Sequence, residues 1–407
     1  MLLNTPRAQR TMKESGLDAL IATSPANVAY MSDYFCESSR NNKGVQVYGI
    51  VPVQDSTPLG LVVPSLEVDS WAEQPGNISD VSVYGTFYRN RGDAKQLAAD
   101  DQRIVDLTMS RPAHGGPVQA LVEALRARGL TQSKLGVDET GLLPAMWDEI
   151  RAALPKASIV PAASLFQTIR MVKTEEELRR MARSAAITEE AMVHAWSDLR
   201  DGITELDLAA RFRTKVIELG ADPAFWIISA GRRTAHTHNR QANVAVRRGD
   251  LVKFDMGSRY EWYWSDVGRT KVLGEATDKQ RRLYEILCNG VKAATAKVRP
   301  GVRASDLFET AVQTIRDGGI PDYKRHHTGH GIGIEVYDPP IVQERGFKDI
   351  FGIGSADAPM EVGQVTNIET PYYLMGEFGF IVEDTMVVRE TGPELLTHLD
   401  YSLTVGR

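Results

Sequence analysis

Five potential metal ligands follow one another along the second half of the chain, each within a strand-like segment or a glycine turn. They are four carboxylates and one imidazole: Asp255, Asp266, His330, Glu369 and Glu383. Carboxylate pairs held close together repel one another and take up protons unless a cation lies between them. Four carboxylates and one imidazole supply the oxygen-rich coordination that two adjacent divalent cations require. The second half of the chain is therefore constrained to a fold that brings these five segments together.

The composition is that of a globular protein with room for two domains. The chain has 407 residues, of which 43% are hydrophobic and 25% are charged. A formal net charge of -6 provides no basic field for nucleic acid or an anionic membrane. There is no apolar run of about 18 residues and no signal-peptide pattern at the start. Cys36 and Cys288 are too few for a disulfide framework, so we expect a cytoplasmic protein without a nucleic-acid or membrane partner.

The first part of the chain alternates strand-like and helical patterns, which indicates an α/β domain with a central sheet. Pro155 and Pro161 interrupt regular structure before Thr174, which opens a long helix with Glu177 as its capping-box partner. We therefore predict an N-terminal α/β domain at 1–162 and a second domain at 163–407.

The second domain combines helices with extended segments. Helical patterns begin at Thr174, Thr204, Thr277 and Ser305. The predicted strands are 224–230, 251–256, 267–273, 364–373 and 378–388. The potential ligands lie on or beside strands and none lies in a helix. This predicts an α+β domain in which an antiparallel sheet carries the ligands and helices pack behind it.

Two predicted hairpins each bring a pair of carboxylates together. Asp255 ends one strand and Asp266 begins the next, across a turn at 257–258. Glu369 and Glu383 likewise flank a glycine turn. A two-metal site would make both pairs favourable, because the cations balance charges that otherwise repel.

Several motifs in both halves resemble the pita-bread enzymes, namely creatinase, prolidase, aminopeptidase P and methionine aminopeptidase. The motifs are Asp18-Ala19-Leu20-Ile21, Asn27-Val28-Ala29-Tyr30, Arg170-Met171-Val172-Lys173, Gly249-Asp250-Leu251-Val252 and Glu383-Asp384-Thr385. The likeness is greatest to Xaa-Pro peptidase-like members with a creatinase-type N-terminal domain. It implies that the second domain is a pita-bread catalytic domain with a curved antiparallel sheet.

The resemblance also implies a dinuclear site with defined ligand roles. Asp266, His330 and Glu369 would serve one ion and Asp255 the other, with Asp266 and Glu383 bridging the two. Members of the family use manganese, cobalt, iron or zinc. Two such ions lower the pKa of a shared water, and Glu369 is placed to take its proton. These roles suit hydrolysis of an amide bond.

Three further residues are predicted to contact substrate, two of them by resemblance. His238 lies 11 residues before Gly249 and His326 lies four before His330, as in the family; either could instead be a surface or supporting histidine. Seven residues after His330 the family peptidases have a histidine, whereas this chain has Tyr337. A phenol donates a hydrogen bond but titrates near pH 10, so proton transfer there would change. Ile381 likewise stands where related enzymes often have arginine.

An aromatic turn between the two aspartates allows two interpretations. It contains Tyr260, Trp262, Tyr263 and Trp264. Such clusters usually serve packing, for example at a subunit interface. Alternatively, Trp262 and Trp264 form a pocket for a flat or cationic substrate.

These patterns together predict a homodimeric dinuclear metallohydrolase that cleaves an amide C–N bond, with Xaa-Pro peptides as the leading substrates. The alternative is a small-molecule enzyme on the same scaffold, a hydrolase or lyase acting on a small amide, cyclic amidine, guanidino or sulfonium compound. A third hypothesis is a non-catalytic binding module. Retention of all five potential ligands argues against it.

Overall fold

The structure, a computed structural model, describes residues 2–42, 44–76, 78–110, 113–347 and 357–405. Its internal contacts divide the chain into two compact units, Met1–Arg170 and Met171–Arg407. Among the described residues, no helix is both long enough and apolar enough to cross a membrane.

The first unit alternates strands and helices. Its helices are α1 (Thr5–Glu14), α2 (Pro25–Ser32), α3 (Glu37–Asn41), α4 (Val68–Glu73), α5 (Ala99–Thr108), α6 (Pro117–Ala127), α7 (Pro144–Ala153) and α8 (Ala163–Arg170). Its strands are β1 (Ala19–Ala22), β2 (Tyr48–Pro52), β3 (Gly60–Pro64), β4 (Asp80–Tyr84), β5 (Lys134–Val137) and β6 (Ser158–Pro161).

These strands form one mixed sheet in the order β4-β3-β2-β1-β5-β6. Strand β1 pairs antiparallel with β2 and parallel with β5, and all four of its residues are buried because it lies inside the sheet. Leu121 and Leu125 of α6 pack in the same apolar core as Ile21 of β1. The prediction of an α/β domain with a central sheet is confirmed.

Helix α8 belongs by its contacts to the first unit. The Nε of Arg7 in α1 donates a hydrogen bond to the carbonyl of Thr168 at 2.9 Å. The division by contacts therefore falls after Arg170, whereas the sequence prediction assigned 163–170 to the second domain.

The second unit has four long helices and a set of antiparallel strands among its described residues. The helices are α9 (Glu175–Trp196), α10 (Glu205–Glu218), α11 (Asp278–Lys297) and α12 (Ala304–Asp317). The strands are β7 (Asp222–Ala230), β8 (Leu251–Tyr260), β9 (Tyr263–Trp264), β10 (Val267–Val272), β11 (His327–Gly331), β12 (Asp338–Gln343), β13 (Val365–Glu369), β14 (Tyr372–Leu374), β15 (Phe378–Phe380), β16 (Glu383–Arg389) and β17 (Gly392–Leu395).

Seven of these strands form the main path of one sheet, in the order β12-β11-β13-β16-β10-β8-β7. Strands β17 and β9 extend it at β16 and β8, while β14 and β15 form a separate hairpin. Among the described residues, the strands of this unit pair with one another in antiparallel fashion. The prediction of an antiparallel sheet is confirmed. Of the potential ligands, Asp266 immediately precedes β10 and the other four lie on strands.

Two apolar clusters join the helices to this sheet. Leu287 of α11 and Leu307 of α12 share a core with Met386 of β16. Phe212 of α10 shares a second core with Phe254 of β8. Burying one such side chain stabilises the fold by about 1.5–3 kcal/mol. These contacts therefore hold in place the strands that carry the candidate site.

The predicted turn between the two aspartates lies further along the chain than the sequence suggested. Strand β8 continues past Gly257, and the turn is at 261–262, where φ is 44° and 74°. Gly257 is needed instead for close packing, since a Cβ there would meet Phe225 and the carbonyl of Ser265, both at 2.3 Å. The prediction of a turn at 257–258 was therefore wrong, although the hairpin itself is present.

Candidate metal centre

Strand register aligns three of the acidic residues in one row across four strands. Glu369 of β13 lies opposite Glu383 of β16. Glu383 lies opposite Gly268 of β10, and Gly268 lies opposite Asp255 of β8. The row brings together carboxylates from both predicted hairpins.

The glycine in this row leaves the space that the carboxylates occupy. A Cβ on Gly268 would lie 2.5 Å from a side-chain carbon of Ile381 and 2.9 Å from the carboxyl carbon of Glu383. Asp266 precedes Gly268 by two residues and lies immediately before β10. The absence of a side chain at this one position therefore makes room for the acidic cluster.

Three carboxylates and one imidazole meet closely. Asp255, Asp266 and Glu383 can each offer one oxygen, and these oxygens lie within 4.8 Å of one another. The Nε2 of His330 lies 3.4 Å from Oδ2 of Asp266, and its Nδ1 lies 2.9 Å from the carbonyl of Gly331. A hydrogen bond from Nδ1 to that carbonyl turns the other ring nitrogen toward the carboxylates, the orientation that a metal-binding histidine needs.

The burial and the negative charges of the cluster favour binding of a cation. Burial, together with the charge of Asp266, raises the pKa of Asp255 and of Glu383 above the ordinary carboxyl range. Among the described residues, the buried Oδ1 of Asp266 and Oε1 of Glu383 have no hydrogen-bond partner. Unpartnered buried oxygens are costly unless a ligand uses them. The donor set, oxygens with one imidazole, suits manganese and similar divalent ions.

Glu369 differs from the other carboxylates because basic side chains face it. Its Oε1 lies 3.0 Å from Nδ1 of His327 and 3.6 Å from the guanidinium of Arg325. Burial would raise the pKa of Glu369, but the hydrogen bond and charge of His327, with Arg325, outweigh burial and lower it. Glu369 is therefore held ionised on the basic side of the cluster.

A group of buried hydroxyls supports the aspartate hairpin from behind. The Thr188 hydroxyl lies 2.8 Å from those of Ser258 and Ser265, and Ser184 donates to the carbonyl of Ser258 at 3.1 Å. Ser265 immediately precedes Asp266. Helix α9 thus fixes the backbone that presents this aspartate.

The cluster forms part of the lining of a cavity of about 530 Å³. The predicted residues that line it are Asp255, Asp266, His330, Glu369, Glu383, His238, His326, Tyr337 and Trp264. Its walls also include apolar side chains such as Phe225, Ile227 and Val336. Polar groups converging within apolar walls are typical of a small-molecule or peptide site.

Tyr337 lies flat against the predicted histidine ligand. The rings of Tyr337 and His330 are stacked, with centroids 4.0 Å apart and an interplanar angle of 26°. Burial raises the pKa of Tyr337 well above its usual value. The phenol therefore stays protonated and can donate a hydrogen bond into the cavity, but it does not ionise near neutral pH.

The aromatic turn divides between packing and the cavity. Trp264 lines the cavity, whereas Trp262 is not among the described lining residues. The guanidinium carbon of Arg259 lies 5.3 Å from the ring of Trp262 and 5.9 Å from that of Trp264. Tyr263 is buried and donates to Glu177 at 3.1 Å. A cation from the chain itself already lies over the two tryptophans.

Three residues at this site were absent from the sequence prediction: Arg325, His327 and Tyr373. His327 contacts Glu369, and all three line the cavity. The sequence offers one signal, the basic run Arg325-His326-His327 before the glycine-flanked His330. It does not reveal that β11 pairs with β13, and that pairing is what brings this run beside Glu369.

Comparison with known proteins assigns the chain to a family. Residues 179–390 match Metallopeptidase family M24, and residues 5–172 match the creatinase/prolidase N-terminal domain. The chain therefore belongs to metallopeptidase family M24, and the prediction of a metal-dependent hydrolase is confirmed. Membership implies that its activity depends on a metal ion.

Individual relatives and solved structures agree with this assignment. The chain is 26% identical to a Xaa-Pro dipeptidase of Lactobacillus delbrueckii subsp. lactis, over 99% of both chains. It is 32% identical to a Xaa-Pro dipeptidase of Pyrococcus furiosus, over 59% of this chain and 66% of that protein. The crystal structure of the prolidase from Pyrococcus horikoshii OT3 superposes with a TM-score of 0.76 at 25% identity, covering 98% of this chain and 99% of that one. The predicted pita-bread architecture with its N-terminal domain is confirmed.

Proposed function

We propose that this protein is a dinuclear metallopeptidase that hydrolyses the bond between a residue and a following proline. Asp255, Asp266, His330, Glu369 and Glu383 are the proposed ligands of two divalent ions. The observation that carries the proposal is the meeting of three carboxylates within 4.8 Å at a cavity that His330 also lines. The names of the relatives support the proline preference.

Two observations support the fit of these residues to such a metal centre. Asp266 and Glu383 each have a buried oxygen without a hydrogen-bond partner among the described residues. Gly268 leaves open the space into which the Glu383 carboxyl projects. We propose manganese as the ion, with cobalt, iron and zinc as alternatives, because carboxylate oxygens predominate among the ligands.

Bound divalent ions would polarise the attacked carbonyl and activate water for attack on it. The chain's own residues have separate roles. Glu369, which lines the cavity, is the proposed acceptor of a proton from water. Tyr337 donates a hydrogen bond to an oxygen of the substrate that becomes negative during attack. His238 and His326 are both exposed and line the cavity, so we assign to them contact with the substrate and donation of a proton to the leaving nitrogen.

A second candidate keeps the chemistry but changes the substrate to a small non-peptide amide. Two observations favour it. Tyr337 stands where the family peptidases have a histidine, and Ile381 is a buried apolar side chain where related enzymes often have arginine. A sulfonium, guanidino or amidine substrate held by Trp262 and Trp264 is disfavoured, because Arg259 already places a positive charge over those rings.

We also propose that the protein is a cytoplasmic homodimer. Both cysteines are buried and unpaired, which fits a reducing compartment. The dimer rests on the resemblance to the family. Light scattering of the purified protein measures its mass, and a monomeric mass at working concentration would contradict the dimer.

A metal-reconstituted screen of Xaa-Pro dipeptides against small amides tests the activity. We expect hydrolysis of the dipeptides after addition of Mn²⁺, and a loss of at least about 100-fold in kcat for Asp266→Asn, which removes one ligand charge while keeping the shape. Hydrolysis of small amides alone would favour the second candidate. No hydrolysis of either class with any of the four metals would overturn the proposal.

The Tyr337→His variant tests the role given to the phenol. A histidine can exchange a proton near neutral pH, so we expect the pH profile of kcat to gain a titration between about pH 6 and 7. An unchanged profile with unchanged rates would show that this position does not contact the reacting groups.

A further inference from the structure

A buried lysine on one strand of the metal centre contacts the loop that carries His238. Lys253 lies in β8, two residues before Asp255, and its side chain is fully buried. Alternate residues of a strand point to the same face of the sheet, so Lys253 and Asp255 share one face of β8. A buried ammonium is costly unless polar groups surround it. The contacts of Lys253 therefore decide what this charge does.

The ammonium of Lys253 joins two walls of the cavity. Its Nζ donates to the carbonyl of His236 at 2.5 Å and to that of Thr237 at 3.3 Å. The ring centroid of Tyr373 lies 5.2 Å from the same nitrogen, within the range of a cation–π contact. Thr237 and Tyr373 both line the cavity. One side chain thus connects the backbone directly before His238 to the hairpin of β14 and β15.

The two ends of this loop are fixed by a different buried charge. The carboxylate of Glu205, in α10, accepts hydrogen bonds from the backbone N–H groups of Ala230 and Ala242, each at 3.0 Å. It also accepts two from the guanidinium of Arg233, at 2.8 and 3.0 Å. Loss of the Lys253 ammonium would therefore loosen the middle of the loop while Glu205 still held its ends.

The position of the His238 imidazole depends on this part of the backbone. Its side chain is exposed and lines the cavity, so packing restrains it little. The carbonyl of Thr237 and the N–H of His238 belong to one planar peptide unit, and Lys253 binds that carbonyl. A misplacement of about 1 Å in an active site can cost on the order of 100-fold in rate. The hydrogen bond to Thr237 therefore bears directly on where the imidazole lies.

We propose that Lys253 is a positioning residue for His238, an inference that rests on the proposed function. Its ammonium orients the peptide unit between Thr237 and His238, and so holds the imidazole where it gives a proton to the leaving nitrogen. Lys253 is not among the described residues that line the cavity. It therefore acts through His238 and does not touch the substrate.

A double-mutant cycle with alanyl-proline as substrate tests this role, using wild type, Lys253→Met, His238→Ala and the double variant, all saturated with Mn²⁺. We expect Lys253→Met to lose about 10- to 100-fold in kcat with little change in KM, and to have less than about a 3-fold effect in the His238→Ala background. Lys253→Gln, which keeps an N–H donor, takes its place in the cycle if Lys253→Met does not fold. Equal losses in both backgrounds would overturn the proposal, because Lys253 would then act through another group.

Lys271 provides a matched control in the same sheet. It lies in β10 with a side chain that is 5% exposed, and its Nζ donates to the carbonyl of Ser402 at 2.7 Å. The same nitrogen lies 4.5 Å from the ring centroid of Trp196. Lys271→Met thus removes a buried ammonium with the same kinds of contact, but without a contact to the loop. We expect it to keep kcat within about 3-fold in both backgrounds.

A spectroscopic measurement separates this inference from the proposed activity. In metal-free protein isotopically labelled at the histidine Cε1, the NMR signal of His238 is assigned by its loss in His238→Ala. We expect Lys253→Met to shift or broaden this signal and Lys271→Met to leave it in place. If wild type cleaved no Xaa-Pro dipeptide, the proposed function would fail while these spectra still decided the positioning role. An unchanged His238 signal in Lys253→Met would overturn that role.

Discussion

At the scale of single residues, the acidic centre depends on a glycine, Gly268, because a larger residue would occupy the space beside the carboxylates. Gly268 lies between Glu383 and Asp255 in the sheet, and a Cβ there would come within 2.9 Å of the Glu383 carboxyl carbon and within 2.5 Å of Ile381. Both neighbours are buried. The added carbon must therefore displace the Glu383 carboxylate or strain the strand.

We therefore expect Gly268→Ala to weaken Mn²⁺ binding by at least about 10-fold and to cost roughly 1–3 kcal/mol of stability. Titration with Mn²⁺ and thermal unfolding measure the two effects. Gly92→Ala is the control, because a Cβ at Gly92 meets nothing within 4 Å. Unaltered Mn²⁺ affinity in Gly268→Ala would show that the carboxylates do not need this space.

Residue types were enough to select the five proposed ligands, and the resemblance to the family added His238 and His326 as substrate-contacting candidates, but neither revealed the environment of these side chains. His330, the one histidine among the five proposed ligands, lies beside Asp266 in the structure. The contact of His327 with Glu369 could not be predicted, because it depends on the pairing of strands that are far apart in sequence. The position of Arg325 near Glu369 depends on the same strand pairing and could not be predicted either.

At the scale of elements, a buried ion pair fixes the strand that follows Tyr337. Lys173, just before α9, lies 3.1 Å from Asp338 at the start of β12, and their side chains are 1% and 0% exposed. Gly333 gives this pair its space, since a Cβ there would lie 2.6 Å from the ammonium of Lys173. Because Asp338 directly follows Tyr337, the pair holds the Tyr337 side chain at the cavity.

Lys173→Met should destabilise the protein by about 3–5 kcal/mol, because it leaves the Asp338 carboxylate buried without its ammonium. Lys173→Met combined with Asp338→Leu should recover much of that loss, since it removes the unpaired charge. Chemical unfolding of four proteins gives the comparison: wild type, Lys173→Met, Asp338→Leu and the double variant. A double variant as unstable as the sum of the single changes would contradict coupling between the two residues.

Helices were easier to predict than turns. Thr174, Thr204 and Thr277 each form the capping box that begins their helices, because a local hydrogen bond determines the start. The hairpin turn was misplaced because Gly257 serves close packing, whereas the turn at 261–262 lacks glycine. Local sequence cannot distinguish these two uses of a glycine.

At the scale of the whole molecule, the folded protein holds mutually repelling acids that a metal would relieve. Burial and neighbouring carboxylates raise the pKa of Asp255 and of Glu383. In metal-free protein their contribution to stability is therefore largest below the ordinary carboxyl pKa near 4, and it is lost as pH rises through the raised values. A metal ion reverses the effect because it binds the ionised forms and releases their protons.

The sequence predicted the fold and the metallopeptidase class because both depend on ligand types and on motifs that are local in the chain. The substrate could not be predicted in the same way, because side chains such as Tyr337, Arg325 and Tyr373 meet only in the folded cavity. Their arrangement follows from sheet order, and sheet order could not be predicted from periodicity.

Calorimetric titration of Mn²⁺ into metal-free protein at pH 6 and pH 8 tests the central claim most directly, with Glu383→Gln in parallel. We predict saturable binding to wild type that is tighter at pH 8, accompanied by proton release detected as a dependence of the heat on the buffer. Binding by Glu383→Gln should be at least about 10-fold weaker. Absence of binding to wild type, or equal binding by both proteins at both pH values, would contradict a metal centre built on these carboxylates.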